Sequence, residues 1–347
     1  MFPLAGRASR GSLAALRRPI VIAGGGLAGL SLGIALRRRG IPVTIHEAGG
    51  YPRHRVCGEF ISGVEDEVLE YLTIARHLSD GRRLEDARWF DAAGGLGSMR
   101  VPAIGLSRWT LDQRLAGDFL EAGGELRTGS RIQPGAGIVW ASGRKRRRTK
   151  WVGLKAHVRG FCMDGDLEMH AGACGYAGVS RIEGGQVNVC GLFRAEGLRG
   201  GRGSAMLVST LARSGLGRLA ERLAGADVDP GSFCAVAGFG PGVNASGDFA
   251  IGDAAQMIPP FTGNGMSMAF ESAAIAVEPL VEFAAGRMTW TDARRQTDAR
   301  QKRRFRRRMT VACGAHGLLT TRIGVMAWGV LARRRMVPYE KLLPLFR

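Results

Sequence analysis

Gly24, Gly26 and Gly29, with Gly25, Leu27 and Ala28 between them, spell G-x-G-x-x-G, and Glu47 stands 18 residues beyond the last of these glycines. Residues of these types at this spacing hold a dinucleotide. The first glycine allows a tight turn, the second lets backbone N–H groups approach a pyrophosphate, and the third lets a helix pack closely on a strand. The start of that helix offers a positive field to the phosphates, and a carboxylate at Glu47 accepts hydrogen bonds from an adenosine ribose. In a chain with 53 glycines the pattern alone would carry little weight. Here it lies between two apolar runs, Pro19 to Ala23 and Pro42 to His46, so strand, glycine turn, helix, strand and acid follow in order.

A second constellation stands more than 200 residues later. Gly252 and Asp253 end an apolar run, and after Pro259-Pro260 come Gly263, Asn264, Gly265 and Met266 at the start of a long helical stretch. A carboxylate at a strand end binds a ribose or ribityl hydroxyl. Bare N–H groups at a helix start suit an electron-rich ring that gains negative charge on reduction. Other chemistries find little support. No H-E-x-x-H or G-x-x-x-x-G-K-[ST] motif is present, and the six cysteines form no C-x-x-C pair, so neither zinc nor a disulfide framework is indicated. Gly265-Met-Ser267-Met-Ala269 only faintly imitates a nucleophile elbow. His157 and His170 fall on expected strands, where they either face a substrate or are structural.

The elements that must carry these residues follow from hydrophobic periodicity. A helix is expected from about Glu65 to Ala75, and short strands separated by glycines over 86–107. Leu111, Leu115, Phe119 and Leu120 recur at helical spacing until Gly123-Gly124 stops them. From Trp151 to Arg194 the period changes to two, which predicts an antiparallel sheet. Residues 205–224 and the tail from Trp290 read as helical. The expected class is therefore α/β: a dinucleotide-binding domain interrupted by an antiparallel β-sheet, with a basic helical tail.

The 347 residues are 45% hydrophobic and carry a net charge of +19, mostly from arginine runs such as 37–39, 144–148 and 302–308. Such runs read first as solvated surface, and the Lys302 to Arg308 run is expected to be surface only. They also fit peripheral contact with an anionic membrane. Without interleaved aromatic residues they argue against nucleic acid. No apolar stretch reaches 18 residues. The nearest, Ile323 to Ala332, suits lying on a membrane surface but not crossing one. Cysteine usage fits a reducing cytoplasm.

At the glycine turn with Glu47, at Arg108-x-x-x-Asp112-x-x-Leu115 and at Gly252-Asp253, the chain resembles the FAD-dependent group containing para-hydroxybenzoate hydroxylase and the geranylgeranyl reductases. The loop Arg55-Val56-Cys57-Gly58-Glu59 leans toward the reductases. The resemblance implies that Glu47 binds the adenosine ribose, that Arg108 helps hold FAD, and that Asp253 meets its ribityl or pyrophosphate side. Gly263 to Met266 would lie against the flavin pyrimidine edge, with Cys57, Gly58 and Glu59 as the catalytic candidates near the isoalloxazine and substrate. NAD(P)H is the implied electron donor, and the substrate a small or lipid-like organic molecule, reduced at a C=C bond or hydroxylated with O2. The implied division is a basic extension over 1–18, an FAD-binding domain over 19–85, 108–150 and 232–285, a substrate domain over 86–107 and 151–231, and a helical region over 286–347. Residues 129–150 are too few for the group's β-meander, and Ser142 stands where an aspartate is usual. These departures leave room for an alternative, a degenerate flavin domain that binds anionic lipid or nucleic acid without turnover.

Overall fold

A computed structural model of the chain describes residues 17–144, 148–198, 201–238, 240–243, 247–334 and 336–337. Most of the basic extension and the centre of the 144–148 run lie outside these residues. The first apolar run forms β1 (Ile20–Ala23), followed by α1 (Leu27–Arg37) and β2 (Val43–His46). Because α1 is apolar on every side it is buried on every side, with Leu27 to Leu36 all buried. After β3 (Phe60–Ser62) comes α2, which runs only from Asp66 to Tyr71. Thr73 adopts a φ of 61°, which a continuing helix cannot accommodate, so the helix ends short of the expected Ala75, where a 3-10 turn over Ala75–Leu78 begins.

The expected short strands prove to be one long hairpin, β4 (Arg82–Asp91) and β5 (Gly94–Gly105). The helix after it, α3 (Arg108–Glu121), buries Leu111, Leu115 and Phe119 but leaves Leu120 52% exposed. The strands β6 (Glu125–Arg127) and β7 (Ile138–Trp140) follow. The period-two region gives β8 (Trp151–Arg159), β9 (Leu167–Gly172), β10 (Gly175–Arg181) and β11 (Val187–Arg194). Then come α4 (Ser204–Arg213), α5 (Gly217–Ala224), β12 (Asp227–Ala237), β13 (Gly242–Val243), β14 (Phe249–Ala250) and β15 (Gln256–Met257). Three helices close the chain: α6 (Gly265–Ala284), α7 (Trp290–Leu319) and α8 (Arg322–Arg333).

Two main sheets result. One is wholly parallel, in the order β14-β7-β1-β2-β6, with α1 packed between it and α6 and α3. The other has the order β12-β8-β11-β10-β9-β4-β5-β3 and is antiparallel except where β4 meets β9. The expected α/β arrangement with an inserted antiparallel sheet and a helical tail is what the chain adopts.

Candidate cofactor and active site

Each glycine of the turn has its own steric reason. Gly24 has a φ of +112°, and a Cβ there would collide with the Ala141 carbonyl at the end of β7. A Cβ on Gly29 would strike the Gly24 carbonyl, which is the close helix–strand approach the motif demands. Gly26 differs, since the nearest atom to its Cβ position is an Arg108 guanidinium nitrogen 3.9 Å away. Gly26 begins α1 without a side-chain cap hydrogen bond, so the first N–H groups of the helix are left without a side-chain acceptor from that position. Leu27 and Ala28 are buried, and Ala28 also supports the second constellation: Gly252, with φ +60°, would place a Cβ 3.0 Å from the Ala28 Cβ. The two glycine segments, far apart in sequence, therefore touch.

Glu47, at the end of β2, is buried and already engaged. One carboxylate oxygen accepts from the Gly25 N–H at 2.8 Å, and the other from the Gly49 N–H at 3.0 Å and from Arg53 at 2.9 Å. Burial works against its charge, but Arg55, the two N–H groups and Arg53 together hold the carboxyl below the usual range. Tyr51 donates its hydroxyl to the Gly25 carbonyl at 2.5 Å. Sequence patterning missed Tyr51 and Arg53, whose loop carries no periodicity.

Arg108 opens α3 and forms a two-pronged pair with Asp112 at 2.7 and 2.8 Å, which Arg55 joins at 2.9 Å. Burial disfavours the Arg108 charge but Asp112 outweighs it, so the guanidinium is firmly cationic beside Gly26. Asp253 sits in a 3-10 turn, half-buried, where burial raises its carboxyl to about 6 against the pull of Arg108 and Arg144. Gly263, with φ +70°, has no room for a side chain because Phe60 lies against it. Asn264 and Met266 are buried at the start of α6. Gly265, the first residue of that helix, has no atom within 4 Å of its Cβ position, and no side chain caps α6.

The Cys57–Glu59 loop is clamped by the antiparallel sheet. Asn188 donates to the Cys57 and Gly58 carbonyls at 3.0 and 2.9 Å, and Ser180 to the Gly58 carbonyl at 2.7 Å. Burial pushes the Cys57 thiol up, away from thiolate chemistry. Glu59, fully buried at φ 57°, is the hub: its carboxylate meets the Arg108 N–H at 3.0 Å, His157 at 2.5 Å and Lys155 at 3.4 Å. Burial opposes its ionisation, yet His157 and Lys155 hold the carboxyl below its usual value. Lys155 reaches His54 at 3.0 Å, whose ring stacks on Trp109 with centroids 4.4 Å apart. His157 is buried against Glu59, and His170 is buried and pairs with Glu168 at 2.8 Å. Lys155 was legible only as a lone cation two positions before His157 in an apolar strand.

The run 302–308 needs correction. Arg306 and Arg307 are exposed, but Arg308 is buried, at 2.9 Å from the buried Glu271 of α6. Arg304 meets the same carboxylate at 2.5 Å. A carboxylate at that depth requires cationic partners, so Arg308 is an internal brace, while Arg304 reaches the same carboxylate from the exposed side of α7.

No protein-family model matches the chain, and no curated protein matches it. Solved structures do. PqsL from Pseudomonas aeruginosa, in complex with 2-aminobenzoylacetate, superposes with a TM-score of 0.70 at 16% identity over 89% of this chain and 98% of its own. The same protein is described elsewhere as a probable FAD-dependent monooxygenase. Klebsiella pneumoniae HpxO, complexed with FAD and uric acid, gives 0.70 at 16% over 94% and 95%. The flavin-dependent brominase Bmp2 gives 0.70 at 16% over 94% and 92%. The chain therefore has the fold of the flavin-dependent monooxygenases and halogenases.

Proposed function

We propose that the protein is an FAD-dependent oxidoreductase that hydroxylates a small or lipid-like organic substrate with O2, taking electrons from NAD(P)H. One observation carries this. Two helices, α1 and α6, both begin without a side-chain cap at glycines, Gly26 facing the Arg108 guanidinium at 3.9 Å and Gly265 facing open space, and the Ala28–Gly252 contact brings the Asp253 turn against α1. A long anionic dinucleotide with a reducible ring fits that pair of helix starts. FAD, when bound, supplies hydride acceptance and oxygen activation. The chain's own residues do the rest. The Gly26 turn and Arg108 take the pyrophosphate, Glu47 orients the ribose, Asp253 accepts from the ribityl side, and the Gly263–Met266 segment donates N–H groups to the pyrimidine edge. The Cys57–Glu59 loop, fixed by Asn188 and Ser180, closes the substrate side and excludes water.

Denaturing the purified protein should release FAD; release of NAD or FMN alone would overturn the cofactor assignment. Donor oxidation followed with and without oxygen then separates the chemistries. Oxygen-dependent consumption is expected, whereas stable anaerobic reduction coupled to a C=C substrate would make it a reductase. No reduction by any donor would leave a binding remnant.

A further inference from the structure

Among the described residues, eight large apolar side chains are exposed, and five of them belong to α8 or follow it directly: Ile323, Met326, Val330, Leu331 and Met336. Ile323 is 82% and Met326 64% exposed. Spacings of three and four place Ile323, Met326 and Val330 on one side of the helix, with the exposed Ala327 and Arg334 among them. The opposite side packs inward through Gly324, Gly329 and Ala332, and Trp328 lies 6.0 Å from Trp89. Thr321 caps the helix by accepting from the Gly324 N–H at 3.1 Å, and Arg333 ties its far end to Asp91 at 2.8 Å. The helix is thus anchored with an apolar face turned outward, the reverse of what a water-facing helix presents.

Charge identifies the occupant. Residues 290–347 hold fifteen lysines and arginines against three acids, and Lys302, Arg303, Arg306 and Arg307 are exposed on α7. No described helix is long and apolar enough to cross a membrane. We propose that α8 lies in the surface of an anionic phospholipid bilayer, its apolar face among the acyl chains and the surrounding arginines at the lipid phosphates. Trp328, on the inner side of α8, packs against the apolar cluster that includes Tyr176, Phe261 and Leu319 at the end of α7, and Phe261 stands two positions before Gly263. A membrane at α8 would therefore adjoin an apolar layer leading toward the flavin-facing turn. The docking itself does not depend on flavin chemistry.

The test uses the full chain in sedimentation with vesicles of phosphatidylcholine, with and without phosphatidylglycerol. Binding is expected only with phosphatidylglycerol and should weaken as salt rises. The triple variant Ile323→Glu, Met326→Glu, Val330→Glu should bind about tenfold more weakly or worse, because insertion of its apolar face is lost. Unchanged far-UV circular dichroism guards against misfolding, and the single exposed change Ile323→Gln should move binding in the same direction by less. Equal binding of wild type and variants, or binding indifferent to phosphatidylglycerol, would overturn the proposal. So would a concentration-dependent dimer that the triple variant makes monomeric, since a second copy would then cover the face.

Discussion

At Glu59 a single carboxylate joins three parts of the molecule: its own loop, the first turn of α3 and strand β8. Removing its charge leaves Lys155, which has no exposed surface, without a counter-ion. Glu59→Gln should therefore cost about 3–5 kcal/mol of stability, read from urea unfolding. The double change Glu59→Gln, Lys155→Met should recover a large part, because the stranded charge is gone. Additive losses would show that the pair is not coupled. His54, at the outer end of the same cluster, gives a pH signature. Burial first, and then Lys155, lower its pKa from 6.5 to about 4. Between those values the unfolded chain binds a proton that the folded chain refuses, so stability falls as pH drops through that window. His54→Phe should flatten the dependence of the urea midpoint between pH 7 and pH 5. A slope unchanged by the substitution would place the acid sensitivity elsewhere.

The glycine turn divides its labour by geometry, and substitutions should separate the parts. Gly26→Val puts its methyl groups in front of α1, where the nearest atom to its Cβ is an Arg108 guanidinium nitrogen 3.9 Å away, so the fold should persist while flavin absorbance is lost. Gly29→Val drives atoms into the Gly24 carbonyl and should lower stability by about 2–3 kcal/mol or more, visible in the melting temperature even without cofactor. A Gly26→Val protein that keeps its flavin would put the pyrophosphate elsewhere. The brace between α7 and α6 offers a matching contrast. Arg308→Gln leaves Glu271 with Arg304 alone and should cost about 1.5–3 kcal/mol, whereas Arg306→Gln with Arg307→Gln should stay within about 0.5 kcal/mol per site. These pairs also mark how far sequence could be read. The parallel core, the turn at Gly24 to Gly29 and the period-two sheet announce themselves through periodicity and glycine spacing. The interior role of Arg308 does not, since its partner Glu271 lies 37 positions away and a run of like charges looks the same whether one member is buried or none is. Tyr51, Arg53, Lys155 and Asn188 escaped for the same reason. Each meets the site across tertiary contacts that leave no local pattern.

At the scale of the whole molecule, the question is how firmly the proposed site would retain FAD. Residues 128–137 pass directly from β6 to β7, with no strand among them, where the group that the sequence resembles carries a meander over the cofactor domain. Ser142, exposed just beyond β7, offers no charge and one weaker acceptor in place of a carboxylate. Glu47 is engaged by Arg53 and two backbone N–H groups, so ribose binding must compete with or share those bonds. Less cover, a missing carboxylate and the prior engagement of Glu47, the proposed ribose acceptor, all act in one direction, toward weaker FAD binding. Much of the protein should purify colourless. Added FAD should then raise the melting temperature with the logarithm of its concentration, because a ligand that binds only the folded state adds stability in that form. Arg53→Ala should strengthen FAD binding if competition for Glu47 dominates and weaken it if Arg53 instead orients the carboxylate for the ribose; the competing bonds favour strengthening. Ser142→Asp should raise flavin retention through dialysis. A natural chain that purifies fully yellow and keeps its flavin through dialysis would show that neither the meander nor the carboxylate is needed, and that the two open helix starts suffice.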